Sequence, residues 1–270
     1  MLTLLLPTFE RHKKLKRVLS FYVASKITHQ IIICDGSADS LHQDYLSELP
    51  SNINYIHCPG ASISERISLM ASLTKTSYVA IINDEDILMP NAMSKGIEFL
   101  SSNPTFSAYV PAYITLYRPI FLLKRLCLRK STPPQDISIN SPSQSVRLIQ
   151  YIVANFNTVQ PLYYSIRPTT ALLASISRLN TCKLEYAMSM ELLDQISTAI
   201  EGCIFFDSEP GFIRDERKIG YVPSPKRHNP INIHGDDINA IYKFFEHLPG
   251  SDSYIAGLHT ALSLYSNSFF

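Results

Sequence analysis

Apolar runs and helix-period segments alternate through the first hundred or so residues. Leu2 to Leu6 is an unbroken apolar run, which predicts a buried strand that Pro7-Thr8 ends. Leu15, Val18, Leu19, Tyr22 and Val23 recur at helical spacing. Gln30 to Cys34 predicts a second buried strand, stopped by Asp35-Gly36-Ser37, and Leu41 to Leu49 a short helix. Asn54 to Cys58 reads as a third strand, closed by Pro59-Gly60. Ser62 and Glu65 have the spacing of a capping box, in which each side chain satisfies a free backbone N–H of a helix's first turn. Ile63, Ile67 and Met70 mark one apolar face of that helix. Tyr78 to Ile82 is a fourth strand, followed directly by Asn83-Asp84-Glu85-Asp86. Pro90 suits a first helical turn and opens a helix through Leu100. Strands alternating with helices predict a parallel sheet flanked on both faces, with ligands just past the carboxyl ends of its strands. Three polar turns fall there: Pro7-Thr8, Asp35-Gly36-Ser37 and Asp84 to Asp86.

The second half is less regular. Tyr113 to Lys130 mixes apolar residues with five cations, and Ser131 to Ser145 reads as an exposed loop rich in Pro, Ser and Asn. Helical patterns cover Val146 to Phe156 and Glu185 to Ile200, the latter stopped by Gly202. Cys203 to Phe206 is a short apolar run suited to a strand. Pro223 to Asp237 reads as a loop, and the tail is helical from Asp237 through Phe245. There is no internal repeat. Residues 1–110 form one half and 111–270 the other, with one continuous domain as the expectation.

Composition narrows the classes. Hydrophobic residues make up 46% of the 270, enough for a substantial core, and the formal net charge is +1. Nothing in that balance calls for a nucleic-acid partner. The five cysteines (Cys34, Cys58, Cys127, Cys182, Cys203) are widely spaced, with no Cys-x-x-Cys pair. They read as small buried hydrophobes in a reducing compartment rather than as disulfides or zinc ligands. The opening run Met1 to Pro7 is too short for a signal peptide or a membrane span, so a cytoplasmic location is expected. Tyr117 to Lys130 is basic and apolar together. It reads first as a core element with charged ends, and second as a peripheral contact with anionic lipid at the inner face of a membrane.

The acidic turn after the fourth strand carries the clearest chemistry. In extended backbone, Asp84 and Asp86 would point to the same side, and two close carboxylates are costly unless a cation neutralises them. Mg²⁺ or Mn²⁺ suits one or two carboxylates plus substrate phosphates. A plain polar turn capping the Pro90 helix is the alternative.

Taken together, Leu6-Pro-Thr-Phe-Glu-Arg11, Ile33-Cys-Asp-Gly-Ser37 and Asn83-Asp-Glu-Asp86, in this order and spacing, resemble GT-A glycosyltransferases of the bacterial family-2-like group. The resemblance covers residues 1 to about 100 and implies a GT-A fold: a Rossmann-like, mostly parallel sheet with a more irregular acceptor-side half. It implies a nucleotide-sugar donor held by Pro7, Thr8, Arg11, Asp35, Arg66 and Asp84, with Asp84 and Asp86 as metal ligands. A carboxylate such as Asp35 can accept hydrogen bonds from base N–H groups or ribose hydroxyls. Lys13 and Lys14, beside Arg11, read as a solvated helix face. The family's acceptor half supplies a carboxylate base from an acidic pair opening a helix. Glu191 matches that place, with Asp194 and Glu185 as further options, although Glu191 is followed by Leu rather than Asp. Arg214 and Arg227-His228 are candidates for a loop folding over the diphosphate, and His228 or His234 for an added metal ligand.

The implied reaction is metal-dependent transfer of a sugar to a glycan or lipid-linked acceptor hydroxyl in surface polysaccharide or glycoconjugate synthesis, with no nucleic acid as partner and with a partner transferase as an option. A sugar-nucleotide pyrophosphorylase is the first alternative, and the lack of any glycine before Gly36 counts against its Gly-rich opening loop. The second is a non-catalytic nucleotide-sugar binding subunit. The chain lacks Gly-x-Gly-x-x-Gly after its first strand and lacks Gly-x-Ser-x-Gly, which disfavours dinucleotide binding and serine hydrolysis.

Overall fold

The computed structural model describes residues 1–117, 127–131, 139–157, 162–182, 184, 187–216, 235–247 and 250–260. The first part of the chain follows the predicted alternation. It runs β1 (Leu2–Thr8), α1 (His12–Ala24), β2 (Gln30–Asp35), α2 (Gln43–Ser47), β3 (Ile53–His57), α3 (Ile63–Ser72), β4 (Tyr78–Ile81), β5 (Ile87–Leu88) and α4 (Pro90–Ser102). All seven residues of β1 are buried, as a strand covered on both faces requires. Contrary to expectation, β1 does not stop before Pro7. Pro7 and Thr8 stay paired with Cys34 and Asp35 of β2, beyond the last β1–β4 pair at Leu5 and Ile81.

The second part contains β6 (Phe106–Tyr117), β7 (Cys127–Ser131), α5 (Gln144–Asn157), β8 (Ile166–Pro168), α6 (Thr169–Cys182), α7 (Ala187–Glu201), β9 (Cys203–Glu216) and α8 (Gly235–Glu246). One sheet carries every named strand, in the order β3-β2-β1-β4-β8-β6-β9-β5, with β7 beside β6. β3, β2, β1 and β4 are parallel. β8 is antiparallel to both β4 and β6, while β9 is parallel to β6. Six of the nine described strands therefore run one way, and β5, β7 and β8 are reversed. The sheet is thus mostly parallel, as expected, and the reversed strands all lie beyond the first four strands.

Two apolar cores support the sheet. One gathers β1, β2 and β4 with Leu15, Val18 and Leu19 of α1 and Ile67 and Met70 of α3. The other joins Leu148 and Tyr151 of α5, Leu192, Leu193 and Ile196 of α7, and Ile241 and Phe245 of α8. The cysteine expectation is corrected in part: Cys34 at the end of β2 and Cys58 just after β3 form a disulfide, their Cα atoms 6.7 Å apart. Adjacent strand ends bring them together, although 24 residues separate them in sequence. Cys203 is buried and Cys182 partly so.

No helix among the described residues is long and apolar enough to cross a membrane. Of the segment Tyr117 to Lys130, residues 118–126 lie outside the described residues, and 127–130 belong to β7, antiparallel to β6.

Candidate active site

The carboxyl ends of β1, β2 and β4 lie side by side, and the three predicted polar turns meet there. Thr8, at the end of β1, donates its hydroxyl hydrogen to Asp84 Oδ2 at 2.7 Å. Its carbonyl oxygen accepts from Arg66 Nη1. Arg66 is only 7% exposed, and its Nε donates to the Ser62 carbonyl. The capping box is present, with Ser62 Oγ accepting from the Glu65 N–H and Glu65 accepting from the Ser62 N–H. It fixes the first turn of α3, and so Arg66, against β1. Gly36 leaves room for this approach. A Cβ there would stand 3.0 Å from the Ala61 carbonyl oxygen and 3.1 Å from Arg66 Nε.

Asp35 is fully buried at the end of β2. Its Oδ2 accepts from the Tyr55 hydroxyl at 2.6 Å and lies 2.7 Å from His12 Nε2. Its Oδ1 accepts from the N–H and hydroxyl of Ser37. Burial pushes its pKa up, but the hydrogen bonds from Ser37, Tyr55 and His12 outweigh that, so the carboxyl titrates below the ordinary range. Ser37 belongs to the predicted Asp35-Gly36-Ser37 turn, whereas His12 and Tyr55 were missed in the sequence. Only their positions beside the predicted turns hint at them, because Tyr55 arrives from another strand and His12 from a helix.

The acidic segment departs from the extended backbone expected of it. The Asp86 N–H donates to the Asn83 carbonyl at 3.2 Å, closing a turn over Asn83 to Asp86. Asp84 and Asp86 consequently meet different partners. Asp84 accepts from Thr8 and, at 3.4 Å, from Arg11. Asp86 accepts from Asn83 Nδ2 and from the Asp215 N–H, each at 3.2 Å. Burial raises both pKa values, that of Asp86 to about 6 despite attraction from Arg214. Glu85 is held by Lys14 and Arg11. Lys14 therefore belongs to this cluster rather than to a solvated face, and Arg11 faces the acidic turn.

The second half contributes residues of α7 and β9. Glu191 on α7 has its pKa raised to about 7, chiefly by burial and also by Asp194, with Arg214 opposing. Arg214 thus acts on both Asp86 and Glu191. The sequence placed it in a loop, but β9 extends well past Phe206, and Arg214 pairs with Thr115 of β6. Tyr164 accepts from Asn83 Nδ2 at 2.7 Å and feels the charges of Glu191, Asp86 and Arg214. Its place on this wall was not legible in the sequence.

Asp194, the second candidate base, has a different environment. Arg167 Nη1 donates to both of its oxygens, at 2.8 and 2.9 Å, and Ser175 donates to Oδ1 at 2.6 Å. Both partners of this ion pair are essentially fully buried. Its bonds are those of a structural pair tying α7 to β8 and α6. Glu185, Arg217, Lys218, Arg227, His228 and His234 lie outside the described residues. Among the described residues, no group of three or more His, Cys, Asp or Glu side chains is placed to hold a metal.

No family model and no curated protein matches the chain. Solved structures of S. aureus TarS do match its fold. TarS 1-349 in complex with UDP-GlcNAc gives a TM-score of 0.63 at 14% identity, over 98% of this chain and 71% of that one. TarS 1-349 gives 0.62 at 13% identity, over 98% and 70%. The complex of TarS 1-349 with UDP gives 0.57 at 12% identity, over 98% and 70%. At these identities the likeness concerns architecture, and it shows that this chain has the Rossmann-like α/β fold, with a mostly parallel sheet flanked by helices, expected from the sequence.

Proposed function

We propose that the chain is a glycosyltransferase that moves a sugar from a nucleotide-sugar donor to an acceptor hydroxyl. The observation that carries this reading is the convergence of Thr8, Asp35, Arg66 and Asp84 at three adjacent strand ends, with Arg214 of the other half acting on both Asp86 and Glu191. Ligands of open α/β sheets bind outside the carboxyl ends of the strands. The fold is shared with a protein whose structures hold UDP-GlcNAc and UDP.

Asp35, expected from the sequence to accept from the base or ribose, is buried with both oxygens occupied by Ser37, Tyr55 and His12, so in this reading it shapes the β2 end, while Arg66 keeps Thr8 and the β1 end in place for the nucleotide. Asp84 and Asp86 are two buried carboxylates whose ionisation is disfavoured by burial, and the described residues add no third ligand of their kind. That donor set fits Mn²⁺ or Mg²⁺ whose remaining ligands are phosphates and water. Such an ion supplies stabilisation of the negative charge that grows on the departing phosphate. Glu191, with a pKa near neutrality, takes the proton of the attacking hydroxyl. Direct attack by that hydroxyl gives inversion. We assign the acceptor to the glycan or lipid-linked class, in surface polysaccharide or glycoconjugate synthesis.

The test is turnover with a panel of nucleotide sugars and glycan acceptors in Mn²⁺, following the released nucleotide. Release of nucleotide with sugar on the acceptor is the expected product, whereas pyrophosphate formation would identify a pyrophosphorylase. Asp86→Asn should lower kcat by about a hundredfold or more, the several kcal/mol that charge stabilisation by the metal contributes, and leave the fold intact. Full activity in that variant would remove the metal site.

A further inference from the structure

The basic face of α1 makes a contact that the donor and acceptor roles leave unused. Arg17 reaches across the cleft end with both of its terminal nitrogens. Nη1 pairs with Asp215 Oδ2 at 2.6 Å, and Nη2 donates to the Glu85 carbonyl at 3.2 Å. Asp215 is the residue whose N–H donates to Asp86 Oδ1, and its neighbour Arg214 acts on both Asp86 and Glu191. One guanidinium therefore joins three pieces: α1, the acidic turn, and the end of β9. The Asp215 side chain is 8% exposed and that of Arg17 is 43% exposed. A pair with so open a cation adds little to stability, so its geometry is its main product.

We propose that Arg17 is a positioning residue for the transfer reaction. It clamps the end of β9 against the acidic turn, which aims the Asp215 N–H at Asp86 and fixes the strand end that carries Arg214. This rests on the transferase reading. Its chemical sense is that misplacement of reacting groups by about 1 Å can cost about a hundredfold in rate. Groups that hold the reacting residues in place therefore act on kcat without touching substrate.

The test uses Arg17→Gln and Arg17→Lys in the full chain. Amide hydrogen exchange is read on peptides covering the acidic turn and the end of β9, with α3 as the control. The clamp predicts faster exchange at both sites in Arg17→Gln, unchanged exchange in α3, and recovery toward wild type in Arg17→Lys. In turnover, Arg17→Gln should lose about tenfold or more in kcat with donor KM and thermal midpoint nearly unchanged, and Arg17→Lys should regain part of the loss. Unchanged exchange at the β9 end overturns the clamp whether or not the wild type turns over. Altered exchange with full kcat overturns the positioning role, as does a loss that only tracks a lowered thermal midpoint. Wild-type protein that transfers no sugar is a failure of the transferase reading, and exchange then decides the clamp alone.

Discussion

Glu191 and Asp194 sit three residues apart on one helix, and their surroundings separate their roles. Asp194 has its charge matched by Arg167 and its oxygens filled by Ser175 and Arg167. Glu191 is poised near neutrality by burial. Glu191→Gln should lower kcat by about a hundredfold to ten-thousandfold while donor affinity persists. The wild-type kcat should rise with pH through about 7, because the base must be ionised. The same residue predicts a stability effect of defined sign. Its folded pKa of about 7 exceeds the ordinary glutamate value of 4.5, so between those limits the native state keeps a proton that the unfolded chain has lost. Stability then falls as pH rises through that window. Glu191→Gln should therefore be more stable than wild type at pH 8, by ~1–3 kcal/mol, and the gain should vanish below about pH 4.5. Equal thermal midpoints at both pH values would contradict this. Asp194→Ala should instead cost ~3–5 kcal/mol by leaving Arg167 buried and unpaired, read as a loss of soluble, cooperatively unfolding protein. Glu191 was singled out only through the family resemblance, and its burial on α7 was not legible in the sequence. Nor was Arg167, because a lone arginine before a proline carries no periodic signal.

Elements divide in the same way. Where a segment's own sequence decides its structure, the reading was accurate: the Ser62–Glu65 capping box, Pro90 in the first turn of α4, and the buried runs of β1, β2 and β4. Ser62→Ala should lower stability by ~1 kcal/mol, seen as a drop of about 2–4 °C in thermal midpoint, since the first turn of α3 loses its side-chain acceptor. No change would mean that packing against β1 and α6 alone sets that helix. Segments decided by tertiary partners were harder to read. The three residues of β8 are a strand only because β4 and β6 lie on either side. β9 runs past the short run Cys203 to Phe206 and through Pro210 and Gly211, because β6 pairs with it along most of its length and absorbs register shifts on the way. α6 did carry a signal, Leu172, Ile176 and Leu179 at helical spacing, that the irregular second half obscured. The acidic turn was misjudged in backbone but not in place, since its residues reach the strand end either way.

At the scale of the molecule, one sheet passes through both halves and makes the cleft a junction. In the proposed function the donor side comes from the ends of β1, β2 and β4, and the acceptor side from α7 and β9. Short motifs could announce the first side because each of its polar turns directly follows a buried apolar run. The second side assembles from Tyr164, Glu191 and Arg214, which only folding brings together. The measurement closest to the central claim is thermal unfolding of the purified chain against a panel of nucleotide sugars and free nucleotides, with Mn²⁺ and then with chelator. A ligand that binds only the folded state must raise its stability, by about 2.7 kcal/mol at a hundred times its Kd. The account predicts a rise in thermal midpoint with one nucleotide series, dependent on Mn²⁺ and lost in Asp86→Asn. A well-folded sample whose midpoint none of these ligands moves, with acceptor present or absent, would contradict a nucleotide-sugar site at these strand ends.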